Sequence, residues 1–312
     1  MVAQGATPSF LEDRPPITDA PPPFNKPTAD VILRSSDFVD FHVRKGILAE
    51  ASDVFDVMFL LPQPPAVEIL EDTRNGKPVI LFRDEESRTL ERLLRLCYPG
   101  RAPSIGDLDD LRPVIHAAVK YDMPEVLEAL KETLRSFMDT VPIRVYAIAL
   151  IFKFEDEAKA AAKASLAFPA EDADAPELAE ITGKAFNNLL KYHRACGVVA
   201  ARVANNPSWI PLPRVDTWFN AGRNHSTCAR AYHGDIYASE WWTTYMAESA
   251  RILKTTPSGS ALLMTGRTDQ ALRDAAGCLV CKYVAPGQMR GFIRLFADEV
   301  DKAIAQVSLD IE

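Results

Sequence analysis

Apolar residues change period several times along this chain, and each change marks an element. Val31 and Leu33 alternate with Asp30 and Arg34, Ser35-Ser36-Asp37 has turn composition, and Phe41 and Val43 resume the alternation. This period of two predicts a β-hairpin with one buried face. From Lys45 the period becomes helical, with Ile47, Leu48, Ala51, Phe55, Met58 and Phe59 on recurring positions. Ser52 and Asp53 are placed to cap a second short helix within that stretch, and Pro62, Pro64 and Pro65 end it. Asn75-Gly76 predicts a tight turn, followed by a short buried strand at Val79-Ile80-Leu81-Phe82.

Beyond that strand the pattern is helical. Ser87 is placed to cap a helix carrying Leu90, Leu93, Leu94 and Cys97, which Pro99-Gly100 stops. Further helices are expected from about Leu108 through Val119, from Val126 to Phe137, and from Pro142 into the alanine-rich run Ala158 to Ala167. Leu178, Ile181, Ala185, Leu189, Tyr192, Cys196 and Val199 define one long amphipathic helix. Three prolines break the pattern between Asn205 and Pro213, and the last helices are expected over Ser239 to Leu253, Thr268 to Val284 and Pro286 to Val307. At the other end, Pro8, Pro15, Pro16, Pro21, Pro22, Pro23 and Pro27 predict an extended, disordered tail over residues 1–27.

Composition narrows the class. A chain of 312 residues suits about two domains, and 47% hydrophobic residues suit a packed core rather than a disordered chain. The net charge of −8 argues against nucleic acid as a partner, because phosphate backbones need clustered Lys and Arg. No stretch approaches a membrane span, and Met1 to Phe10 lack the basic start and apolar run of a signal peptide. Five widely spaced cysteines do not suit a secreted disulfide framework. The expectation is a soluble intracellular protein, cytoplasmic or nuclear.

Several segments, taken in order, resemble a BTB/POZ domain of the form common in fungal proteins. They are Ala29-Asp30-Val31-Ile32-Leu33, Phe41 through Ser52, Val54-Phe55, Met58-Phe59, the strand at Pro78 to Phe82, Leu93 through Gly100, and Ala117 through Met123. The resemblance implies an α+β fold over residues 28–137, a small mixed sheet flanked by helices. An all-α C-terminal region follows, divided into a helical extension over 138–204 and a part over 205–312 with aromatic and cysteine clusters. One departure is Arg44-Lys45 where the family usually has His-Lys. Arg44 keeps a cation and donors but cannot switch charge near neutral pH.

The resemblance also implies protein–protein association: homodimerisation through the early hairpin and helix and, for some members, recruitment to a cullin-type ubiquitin ligase. Val31, Leu33, Phe41, Ile47, Leu48, Phe55, Met58 and Phe59 are the expected interaction residues. The density of Ile47, Leu48, Val54, Phe55, Val57, Met58, Phe59, Leu60 and Leu61 exceeds what one buried helix stripe needs. Ligase recruitment fits less well, because Pro62-Gln63-Pro64-Pro65 intervenes before Val67-Glu68 where such adaptors carry an apolar-X-Glu segment.

Candidate chemistry gathers near the C-terminus. Cys278 and Cys281 form a Cys-X-X-Cys pair, and with Cys196 and Cys228, or with His193 or His225, they offer a coherent tetrahedral zinc set. The competing reading is that these thiols are small buried apolar groups, as Ala275, Ala276, Leu279 and Val280 around the pair suggest. A zinc-stabilised or redox-sensing regulator is therefore the alternative to an adaptor that binds a protein through its C-terminal region. Trp209, Trp218, Phe219, Trp241, Trp242 and Tyr245 read either as a binding surface or, preferably, as the core of an irregular connection.

No catalytic arrangement emerges. His116 reads as a packing histidine, and Ser208, Ser226, Ser258 and Ser260 lack a nucleophile elbow. Gly76-Lys77 lacks a phosphate-cradling loop, and Asp107, Asp109 and Asp110 read as the start of a helix rather than a calcium loop. The expectation is a non-enzymatic interaction protein without a required cofactor.

Overall fold

The hairpin read from Val31 to Val43 forms, as the middle of a wider sheet. The computed structural model describes residues 15–61, 73–170, 174–210 and 228–311. The chain divides into two compact units, Met1–Ser136 and Phe137–Glu312. In the first, β1 (Thr18–Asp19), β2 (Val31–Arg34), β3 (Val39–Val43), β4 (Thr73–Arg74) and β5 (Lys77–Leu81) form one sheet in the order β1-β3-β2-β5-β4. β2 and β3 run antiparallel, Val31 facing Val43 and Leu33 facing Phe41, whereas β5 joins β2 and β1 joins β3 in parallel. A central strand is covered on both sides, so β2 is buried from Val31 through Arg34 instead of on one face. Asn75 and Gly76 take φ of 52° and 74°, the paired left-handed residues of a two-residue hairpin between β4 and β5.

The expectation of a disordered tail to Pro27 is corrected for residues 15–27. Thr18 and Asp19 pair with Val39 and Asp40, and the Phe24 carbonyl accepts from the His42 N–H at 2.8 Å. Phe24 is fully buried, its ring 5.3 Å from Tyr98 and 5.7 Å from Phe41 between centroids. Proline keeps the chain extended, and an extended segment is what a sheet edge accepts. One large buried aromatic then pins it. Residues 1–14 lie outside the described residues.

Among the described residues, five helices complete this unit: α1 (Lys45–Ala51), α2 (Asp53–Leu60), α3 (Ser87–Cys97), α4 (Leu108–Lys120) and α5 (Pro124–Arg135). Ser52 caps α2, its hydroxyl accepting from the Phe55 N–H at 3.1 Å while donating to the Tyr121 carbonyl. Asp107 caps α4 by accepting from the Asp110 N–H at 2.7 Å, and Asp109 and Asp110 sit at the positive end of the helix dipole. Ser87 does not cap α3 but is its first residue. Asp37 caps it from the turn before β3, accepting from the Ser87 N–H at 2.7 Å and hydroxyl at 2.6 Å.

In the second unit, α6 (Pro142–Ile151) and α7 (Glu155–Ser165) pack as a pair, and the long α8 (Gly183–Asn205) packs against α9 (Glu240–Leu253) and the final helix. Two short helices, α10 (Gly259–Leu262) and α11 (Thr265–Ala275), lead to α12 (Cys281–Ile304). Two expectations change. The region expected to be all-helical contains a hairpin, β6 (Arg230–His233) and β7 (Ile236–Ser239), turned at Gly234 with φ of 58°. Tyr232, Ile236 and Tyr237 are strand formers, and a left-handed glycine between them satisfies the turn. The break expected before Pro286 falls instead at residues 276–280, and Pro286 lies inside α12.

Gly197 lets α8 approach the end of α9. A Cβ there would sit 2.4 Å from the Lys254 carbonyl oxygen, a backbone atom that cannot swing aside. Gly197→Ala is expected to cost about 1–3 kcal/mol. A lower urea midpoint by tryptophan fluorescence checks this.

Candidate functional site

The structure divides the expected assembly residues. Val31, Leu33, Phe41, Leu48 and Phe55 are buried in the first unit's own core, while Ile47, Met58 and Phe59 are half-buried. Phe55 stacks between centroids at 5.8 Å on Phe59, 6.0 Å on Phe82 and 5.1 Å on Tyr121, which takes it out of any free surface. The apolar face left in solvent is the other stripe of α2. It comprises Val54, Val57, Leu60 and the following Leu61, with Val57 58% and Leu60 76% exposed. Positions 54 and 57 recur at i and i+3 and so share a face, and Leu61 follows where the helix ends in extended backbone. The apolar excess around Phe55 carried this signal, but helical spacing alone does not say which stripe turns inward.

The position that departs from the family pattern is held by other groups. The Arg44 guanidinium donates to the Thr28 hydroxyl at 3.0 Å, its backbone N–H to the Tyr98 hydroxyl at 2.8 Å, and the Lys45 N–H to Asp30 at 2.8 Å. His42 points away from Phe41 and Val43 and meets Asp19 at 3.0 Å. That contact, with the Arg74 guanidinium beside it, holds the Asp19 carboxyl below its ordinary range despite partial burial.

In the second unit the sulfurs of Cys228, Cys278 and Cys281 all lie within 4.8 Å of one another. Cys281 is the first residue of α12, Cys278 stands in the turn before it, and Cys228 precedes β6. The Cys228 and Cys281 sulfurs are 3.8 Å apart. Two N–H groups donate to this cluster: the Trp241 indole to Cys281 Sγ at 3.4 Å and the Cys281 amide to Cys278 Sγ at 3.5 Å. Burial pushes the Cys281 thiol up to about 11, the neighbouring sulfurs adding to the rise and Trp241 opposing it. A cleft of about 380 Å³ opens onto Cys228 and Cys278, with Glu240 and Asp274 on its wall.

Cys196 is not in this group. It is buried in α8 beside Tyr192, and loss of solvent pushes its thiol up to about 11. His193 is also elsewhere, meeting the Ser165 hydroxyl at 2.9 Å. His225 lies outside the described residues. Cys97, half-buried at the end of α3, has its thiol pushed up to about 12 by loss of solvent.

The Ser165–His193 pair is the arrangement nearest to nucleophile chemistry, and it is wired in the wrong direction. Ser165 gives its proton to the Ala162 carbonyl at 2.7 Å, so His193 Nε2 donates to the hydroxyl rather than taking its proton. The described members of the aromatic cluster form core. Trp209 stacks on Phe292 and Phe296 at 5.9 and 5.6 Å, and Trp242 lies edge-on to Phe292 at 5.7 Å. Trp218 and Phe219 lie outside the described residues. No helix among the described residues is long and apolar enough to cross a membrane.

Comparison with known proteins gives one match and one blank. No curated protein matches the chain. The family model described as BTB/POZ domain matches residues 23–137, starting beside the buried Phe24 and ending just past α5. That domain is generally a protein–protein interaction module and usually not an enzyme. The curled sheet, the helices flanking it and the matched residues lead to one statement: residues 23–137 of this chain are a BTB/POZ domain, followed by a largely helical C-terminal region.

Proposed function

We propose that this protein pairs into a homodimer through its BTB/POZ domain and acts as an adaptor or scaffold, holding a protein partner with its C-terminal unit. The observation that carries the reading is the solvent-facing stripe Val54, Val57, Leu60 and Leu61 on α2. An apolar face of this kind on a short helix is stabilised by meeting its own copy, since a two-fold axis makes one patch complementary to itself. On the C-terminal unit, Leu279 in the turn before α12 and Tyr283 in its first turn are 69% and 77% exposed, an apolar ridge suited to a partner. Nothing among the described residues adds to the cullin-ligase reading.

Light scattering on a size-exclusion column tests the pairing. Wild type is expected at twice the 34.5 kDa chain mass across a tenfold dilution. The Val57→Asp, Leu60→Asp double variant is expected at the single-chain mass with an unchanged far-UV circular-dichroism spectrum, because facing carboxylates repel and both positions lie outside the core. A wild-type protein of single-chain mass at every concentration overturns the dimer. Leu279→Asp, Tyr283→Asp is expected to release the partner in a pull-down while leaving the dimer mass intact.

A further inference from the structure

We infer that Cys228, Cys278 and Cys281 form a metal site for a soft divalent ion of the zinc class, held by three sulfurs and open at its fourth position. The geometry points there first. With zinc–sulfur bonds of about 2.3 Å at tetrahedral angles, neighbouring sulfurs stand roughly 3.8 Å apart. The Cys228 and Cys281 sulfurs are at 3.8 Å, and Cys278 completes the triangle within 4.8 Å of both. A disulfide would require about 2.0 Å between two of them and would leave the third thiol without a role. Three convergent sulfurs suit an ion.

The surroundings are those of a thiolate cluster. The Trp241 indole N–H and the Cys281 amide N–H both aim at sulfur. An N–H donor lowers the energy of a thiolate more than that of a thiol, and such partners orient and tune metal ligands. Cys281 opens a 24-residue helix, whose N-terminal end carries partial positive charge and favours a sulfur anion. The cleft that reaches Cys228 and Cys278 is walled by Glu240 and Asp274. Two carboxylates beside an opening draw in cations, and the cleft leaves room for water as fourth ligand. Soft sulfur donors select zinc over calcium or magnesium, which take oxygen. Cys196, the remaining member of the sequence-derived set, is excluded because its position in α8 leaves it outside the triangle.

The bonds made are three metal–sulfur bonds, and up to three thiol protons leave to solvent with no change of oxidation state. Such a clip would tie the segment before β6 to the start of α12.

The test uses the full chain, expressed with added zinc and dialysed against metal-free buffer. Plasma mass spectrometry is expected to find one zinc per chain. Cobalt(II) replacing the zinc is expected to give thiolate-to-cobalt charge-transfer bands. Cys228→Ser, Cys278→Ser and Cys281→Ser are each expected to reduce retained zinc at least tenfold, and Cys196→Ser to retain it. Trp241→Phe, which keeps the ring and removes the N–H, is expected to weaken zinc binding by about 10–100-fold.

Should the serine variants fail to fold, wild type alone decides. Alkylation mapped by peptide mass spectrometry is expected to spare these three cysteines with zinc present and to modify them after a strong chelator. A folded chain that takes up neither zinc nor cobalt overturns the site. So does a Cys228–Cys281 disulfide in metal-free protein that zinc cannot prevent, or an equal loss of zinc in Cys196→Ser.

Discussion

Replacing Asp40 with Ala is expected to destabilise the BTB/POZ domain by about 3–5 kcal/mol, as breaking a buried ion pair from one side does. Asp40 is fully buried on β3 and directly opposite Arg34 of β2. It accepts from Arg34 Nε at 2.6 Å and from its second guanidinium nitrogen at 3.0 Å. Arg74 donates at 2.5 Å to Asp40 Oδ2, the oxygen that also accepts from Arg34 Nη2, and continues to Asp19 at 2.7 Å. Asp40 and Asp19 together balance the two guanidinium charges, and the network joins β1, β2, β3 and the β4 hairpin. Removing it leaves the Arg34 side chain, only 9% exposed, with its charge uncompensated.

The loss should come from that orphaned charge rather than from missing attraction. Arg34→Met combined with Asp40→Leu is accordingly expected to recover most of the stability, because a well-packed apolar pair avoids both desolvation costs. Every tryptophan of the chain lies at or beyond Trp209, so tryptophan fluorescence does not report this unit. Far-UV circular dichroism during urea unfolding does. An Asp40→Ala midpoint equal to wild type would contradict the argument, as would a double variant no better than the single one.

The second large effect is an acid sensitivity built into the C-terminal unit. His193 is 4% exposed, and burial lowers its pKa from about 6.5 to about 4. In the unfolded chain the imidazole takes a proton near pH 6.5, whereas in the folded chain it stays neutral until near pH 4. Between those values the unfolded state holds more protons, so stability rises with pH and is lost as pH falls. The full contribution is present above pH 6.5 and declines by roughly 3 kcal/mol down to pH 4. His193→Gln, which keeps a donor for Ser165, is expected to flatten that part of the curve. Tryptophan fluorescence reports this unit directly. Equal slopes for wild type and variant between pH 6.5 and 4 would refute the assignment.

Much of the first unit was legible because its determinants are local. Period-two alternation located β2 and β3, Asn75-Gly76 located the β4–β5 turn, and Ser52 and Asp107 stand where capping requires them. What was not legible depends on residues far apart in the chain. Asp37 caps α3 across 50 residues, and Phe24 becomes a core residue only because β3 and Tyr98 come to it. The β6–β7 hairpin was missed because its four-residue strands are too short to show a period. Pro286 implies a helix break at its own position, yet α12 runs through it: proline removes an internal hydrogen bond, a local cost that the packing of a 24-residue helix outweighs.

The candidate sites divide along the same line. Residue type and spacing alone determined that Cys278 and Cys281 form a Cys-X-X-Cys pair and that the stretch from Ile47 to Leu61 is richer in apolar residues than one stripe needs, while the ordered motifs from Ala29 to Met123 carry the resemblance to a BTB/POZ domain. Only the tertiary structure decided that Cys228 joins the pair while Cys196 does not, and that Val57 and Leu60 face solvent while Phe55 faces the core. Spacing specifies positions around one helix, over a few ångströms. Convergence of sulfurs from residues 228 and 281, and the choice of which helix face turns inward, are set by packing against elements whose arrangement no local pattern encodes.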